Sequence, residues 1–217
     1  MKIFQKTGRR SGFTLIELLV VIAIIAILAI VVVLTLNPGQ LIMQARDSNR
    51  VSDLATVKSA IAYYLQDVTT STVGVGGASA GLCYESGPTF NGALSSSSCP
   101  WFAGTASTTF LSTSSRNTNV ATGWIPMNLG LISVGAPIGQ WPIDPLNTVG
   151  HGAGVTLFVS STDHFYSFAA STTSAGGFKL GTKLESSKYV SGGSGDLEDT
   201  DGGTYVGAYE TGANLSL

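Results

Sequence analysis

Two hydrophobic patterns lie end to end in the first third of the chain. From Phe13 to Leu36 every position is apolar except Thr14, Glu17 and Thr35, with no period. After Asn37-Pro38-Gly39 the pattern changes. Val51, Leu54, Val57, Ile61, Tyr64 or Leu65, and Val68 recur at steps of three and four. The first pattern predicts a helix that is apolar on all sides, and the second an amphipathic helix with one buried stripe. Asp47, Arg50, Asp53 and Lys58 lie off that stripe. Pro38 and Gly39 are expected to kink or melt the helix at mid-length.

The pattern is weaker further on. Residues 69 to 123 are rich in Ser, Thr and Gly and read as a long connection between helix and sheet. Val155 to Val159 and His164 to Ala169 carry β-branched and aromatic side chains with a turn between them, which predicts a hairpin. Phe178 to Glu185 and Tyr205 to Tyr209 are expected to add further strand pairing.

The apolar run of residues 13 to 36 gives about 36 Å of helix, enough to cross a hydrocarbon core of about 30 Å. An ordinary secretory signal is shorter and ends in a small-residue cleavage site, which is absent before Pro38. A permanent anchor accounts for the length and for the basic residues before it, which stay cytoplasmic by the positive-inside rule. Neither reading accounts for Glu17, because a carboxylate in a membrane segment calls for a partner and a function.

Charge sharpens this picture. Only 11% of the 217 residues are charged, against roughly 25% in an ordinary soluble domain. The net charge of −2 hides an asymmetry. Lys2, Lys6, Arg9 and Arg10 precede the apolar run without any acid, so the remainder is acidic and offers no footprint for tight nucleic-acid binding. Two cysteines, Cys83 and Cys99, sit in a Gly- and Ser-rich stretch. An even pair in an exported chain reads as a disulfide. Free buried thiols or a metal pair are the alternatives, although two His and no C-x-x-C give no zinc pattern.

Arg9-Arg10-Ser11-Gly12-Phe13-Thr14-Leu15-Ile16-Glu17 resembles the processing site of type IV pilins and their type II secretion relatives. The resemblance implies that a prepilin peptidase cuts between Gly12 and Phe13 on the cytoplasmic side and then N-methylates Phe13. It implies that Glu17, fifth in the mature chain, meets the free amine of a neighbouring subunit as helices pack into a filament. The physics agrees with that account. Each charge is costly alone in a low-dielectric bundle, and a subunit slipped along the bundle leaves both unpaired. Trp141-Pro142-Ile143-Asp144-Pro145-Leu146-Asn147 is similar to a WP-x-DP-x-N stretch of bacterial pilin-like proteins, and Tyr166 with Lys183-Leu184-Glu185 to their Y…LE pattern. The resemblance covers residues 9 to 66 and, more loosely, 141 to 186.

The implied fold is α+β, a long N-terminal helix with an apolar first half and an amphipathic second half, packed on an antiparallel sheet. The expected organisation is a cleaved basic leader (1–12), a transmembrane and filament-core helix (13–36), and a kink with an amphipathic helix (37–68). A Ser/Thr/Gly-rich connection with the disulfide (69–140) and a sheet-bearing head with an acidic C-terminal loop (141–217) follow. The implied partners are copies of the chain itself, the prepilin peptidase, and an inner-membrane assembly platform with its ATPase. The implied location is the inner membrane with the head outside the cytoplasm, then an extracellular pilus or a periplasmic pseudopilus. A singly anchored adhesin that never polymerises would need neither Gly12 nor Glu17.

No catalytic constellation stands out. Gly192-Gly193-Ser194-Gly195-Asp196 breaks the G-x-S-x-G pattern at its last position, and Gly150 to Gly154 lacks the spacing and lysine of a phosphate loop. Asp163 and His164, adjacent in the chain, would face opposite ways; His164 reads as a half-buried strand residue. Asp196, Glu198, Asp199 and Asp201 in a Gly-rich loop offer hard oxygen ligands suited to Ca²⁺, though the EF-hand pattern fails. Major pseudopilins carry calcium in a C-terminal loop, so the resemblance makes these four residues candidates. No other cofactor is implied.

Overall fold

The computed structural model describes residues 12–68, 83–87, 110–148, 163–171 and 176–216. Helix α1 runs from Leu15 to Leu36 and helix α2 from Pro38 to Asp67. A single residue separates them. Asn37 takes the left-handed conformation (φ 40°, ψ 73°) that ends α1, one that asparagine tolerates better than most residues. Its carbonyl accepts the amides of Gln40 and Leu41 and so begins α2. Pro38 opens α2, where its missing N–H costs nothing, and Gly39 is helical. The expected kink or melt is therefore a one-residue interruption.

The chain divides into two compact units, one ending at Leu41 and the other running from Ile42 to Leu217. In the first unit, α1 has no buried stripe. Every described side chain from Leu15 to Leu36 is exposed, and Leu15–Val33 is long and apolar enough to cross a membrane. The Thr35 hydroxyl donates to the carbonyls of Val31 and Val32, so it adds no unsatisfied donor to the apolar surface.

The second unit, the head, packs α2 on a five-stranded sheet. Strands β1 (Cys83–Glu85), β2 (Phe110–Ser112), β3 (Tyr166–Ala170), β4 (Phe178–Thr182) and β5 (Tyr209–Gly212) lie in the order β2-β1-β3-β4-β5. Pairing among β1, β3, β4 and β5 is antiparallel, and β2 joins β1 as a parallel edge. The fold is α+β, a long N-terminal helix followed by a largely antiparallel sheet, consistent with a pilin.

Leu54, Val57, Ala60, Ile61 and Tyr64 of α2 meet Tyr84, Tyr166, Phe168, Phe178 and Leu180 of the sheet in one core. Burial of each Leu, Val, Ile or Phe side chain here contributes about 1.5–3 kcal/mol. The expected stripe faces inward, with Val51, Leu65 and Val68 at its half-buried margins. Trp124, Ile125, Met127, Leu129 and Trp141 complete the core from an irregular segment. That segment holds its shape by crossed bonds: the Trp141 amide donates to the Arg116 carbonyl, the Arg116 Nε donates to the Trp141 carbonyl, and the Trp124 indole donates to the Pro142 carbonyl at 2.9 Å. At Gly123 a Cβ would come within 2.2 Å of the Asn117 carbonyl oxygen, so only glycine fits there.

Three expectations need correction. Residues 69 to 140 are not purely a connection, because they supply β1, β2 and five core residues between Trp124 and Ile132. Three-residue strands are too short to show a period. The last strand is Tyr209–Gly212 rather than Tyr205 to Tyr209. Gly207, at φ 119°, turns the chain just before it, which leaves Tyr205 and Val206 exposed. Finally, β3 pairs with β1 and β4; its expected partner, Val155 to Val159, lies outside the described residues.

Candidate processing and assembly site

The residues expected to carry processing and assembly surround the start of α1. Gly12, Phe13 and Thr14 precede the helix in non-helical backbone, and Phe13 is 87% exposed. Thr14 is the N-cap, with extended backbone. Its hydroxyl oxygen accepts the Glu17 amide at 3.3 Å, while its own amide and hydroxyl donate to the Glu17 carboxylate at 2.9 and 2.7 Å. This is a capping box: a helix has four orphan N–H groups at its start, and the side chains at N-cap and N3 satisfy two donors reciprocally. The Thr14-Leu15-Ile16-Glu17 spacing is its sequence signature. Glu17 is thus already engaged within its own chain, a role the sequence reading missed although T-x-x-E stood in plain view.

A second charged site lies inside the head. Arg50 is fully buried. Its Nε and Nη2 donate to the two oxygens of Asp144 at 2.6 and 3.0 Å, a bidentate pair, and Nη1 donates to Asp47 at 2.8 Å. Nη1 also pairs with Glu185, which accepts both Nε and Nη2 of Arg46. Three carboxylates thus face two guanidinium groups. The excess negative charge is met by backbone amides: Glu185 and Ser186 donate to Asp47, and Leu146 and Asn147 to Asp144. Burial alone pushes the Glu185 carboxyl up, but the hydrogen bonds from Arg46 and Arg50 outweigh it and hold it below the usual range. For Arg50 burial likewise opposes the charge, and Asp144 and Glu185 more than restore it.

The WP-x-DP-x-N and Y…LE residues meet here. Asp144 and Glu185 hold Arg50, and the Tyr166 hydroxyl donates to Asp53 at 2.8 Å. Burial first, then the Asp53 charge, raises the Tyr166 phenol above its ordinary value. Asp47 and Arg50, read as off the apolar stripe, are buried. They continue its three-and-four spacing backward from Leu54. His164 is buried beside this cluster, and its Nδ1 has no hydrogen-bond partner. Desolvation, followed by the Arg50 charge, lowers its pKa.

The acidic loop does not converge on a point. Asp196 accepts the amides of Gly192, Glu198 and Asp199; Glu198 accepts those of Leu184 and Ser191; Asp201 accepts those of Gly203 and Glu210. Asp199 accepts the Ser191 hydroxyl. Each carboxylate is engaged by amide or hydroxyl donors of the head itself, some local and some up to 14 residues away. Among the described residues no group of three or more His, Cys, Asp or Glu is placed to hold a metal ion. Cys83 opens β1, buried, and no described cysteine is free; Cys99 lies outside the described residues.

Residues 7–33 match the family of the prokaryotic N-terminal methylation motif. No curated protein and no solved structure matches the chain. The matched segment covers Gly12, Phe13 and Glu17 and most of α1, so the chain carries a type IV pilin-like prepilin signal. The apolar helix behind that signal fits a membrane-anchored precursor.

Proposed function

We propose that the protein is the structural subunit of a type IV pilus-like filament. A prepilin peptidase removes residues 1–12 and methylates the Phe13 amine, and α1 then leaves the membrane for the core of a filament. Within it, Glu17 of one subunit faces the Phe13 amine of the next. The head lies outside the cytoplasm, with Cys83 bonded to Cys99. The observation that carries this reading is the methylation motif ending inside a helix whose described side chains are all exposed. A helix apolar on every side is stable only in lipid or among other helices.

Mass spectrometry of filaments sheared from cells tests it. The expected mass begins at Phe13, carries one methyl group and is two hydrogens lighter than the reduced chain. Recovery of the same species only from the periplasm would make it a pseudopilin of a secretion system. An intact leader on an unpolymerised surface protein would defeat the filament reading in favour of an anchored adhesin.

A further inference from the structure

Gly12 and Phe13 flank the bond that the processing reading assigns to the peptidase, and both stand outside α1. Nothing beyond its chain neighbours lies within 4 Å of where a Gly12 Cβ would be, and Thr14 is extended at φ −81° and ψ 149°. Between Ser11 and Thr14 only Gly12 disfavours an earlier helix start, and no proline stands there to forbid one. Ser11, three residues before Thr14, belongs to the same class of capping residue. A helix capped there would draw Gly12 and Phe13 into its first turn. The Gly12 carbonyl would then accept the Ile16 amide, as i to i+4 bonding requires. Hydrolysis needs that carbonyl free, so that a nucleophile can reach its carbon and donors can stabilise its oxygen. The two registers differ at N3. A Ser11 cap would find Thr14 there, whereas the Thr14 cap finds Glu17 and closes a capping box.

We propose that Thr14, acting with Glu17, is a positioning residue for leader removal. The capping box fixes the first helical turn at Leu15 and so holds the Gly12–Phe13 peptide extended for the peptidase. This rests on the reading that Gly12–Phe13 is the bond cut. Water adds across it, leaving a carboxylate on Gly12 and an amine on Phe13. Both members of the box lie on the mature side, so the cut leaves the cap in place.

The test uses the full-length precursor in membranes containing the peptidase, with Thr14→Val, Thr14→Ser and Gly12→Val. The rate of leader loss is followed by gel mobility. In detergent micelles, hydrogen exchange is followed at the Leu15 and Ile16 amides, which gain the Ser11 and Gly12 carbonyls only if the helix begins earlier. Thr14→Val is expected to be cut roughly fivefold more slowly, the population change that accompanies loss of one N-cap. Its Leu15 and Ile16 amides should gain protection. Thr14→Ser keeps the cap and should be cut at close to the native rate. Three results overturn the proposal while Gly12→Val stays uncut: an unchanged rate for Thr14→Val, equal slowing in both Thr14 variants, or slowing without any gain of protection. Cutting of Gly12→Val would instead remove the assigned processing site, and the proposal with it.

Discussion

Helix α1 and the head place charge and apolar surface in opposite ways. In α1 every described side chain is exposed, almost all are apolar, and the one carboxylate is held by a single threonine of its own chain. In the head, Arg50, Asp47 and Asp144 are buried, and each has its partner within the fold. The difference separates two kinds of specification. Buried charge in the head is satisfied internally, so it defines how one chain folds. The exposed helix leaves its apolar surface to be covered by something outside the chain, and under the proposed function that cover is the same helix of other subunits.

Removing charge from each region tests that division. The largest effect is expected from Glu17→Gln. Gln still fits N3 of a capping box, but in the proposed filament it would leave the neighbour's Phe13 amine without an ionic partner. Breaking a buried pair on one side costs about 3–5 kcal/mol, a factor of several hundred or more in association at each interface. Cells carrying this variant as their sole copy should lack filaments, while the head within the full-length variant, extracted in detergent, melts as in the native protein. Filaments in normal number would return Glu17 to a capping role alone.

The converse variant is Arg50→Met. It leaves Asp47 and Asp144 buried without their guanidinium partner, and Glu185 with Arg46 only. The head should lose about 3–5 kcal/mol in a urea titration, a large share of an ordinary total of about 5–15 kcal/mol. An unchanged midpoint would show that the backbone amides suffice to hold these carboxylates.

The smallest effect concerns His164. Its pKa in the folded head lies below the ordinary 6.5, so the unfolded chain binds the proton more readily. Stability therefore falls as pH drops below about 6.5, until the folded imidazole itself titrates. Compared with His164→Gln, the native head should lose at most about 1.4 kcal/mol for each pH unit in that window. Parallel pH profiles for the two proteins would contradict the direction of the shift.

Much of this was legible in the sequence, for reasons that differ by region. The apolar run, Gly12, Phe13 and Glu17 are local features, and local spacing sufficed to read them. The stripe from Leu54 to Tyr64 was legible because apolar residues mark a helix face. Asp47 and Arg50 occupy the same face, but charge hides a position from a hydrophobic period. Their partners, Asp144 and Glu185, stand 94 and 138 residues away from them in the contacts that matter, and no helical or strand spacing reports such a distance. Strands β1 and β2 escaped because three residues between Ser- and Gly-rich segments carry no readable alternation. Tyr205 and Val206 misled in the other direction, since both are apolar yet exposed.

The position of Arg50 along α2 has a mechanical consequence. Force entering the head from the N-terminal end of α2 travels along the helix and meets Arg46, Asp47 and Arg50 before Leu54, Val57 and Ile61. The first anchorage under load is thus a set of short, directional ionic bonds to two separate segments, at Asp144 and Glu185. Such bonds resist sliding along the helix axis, which greasy side chains allow more readily. Tension applied at that end would load the ionic cluster before the packed core behind it.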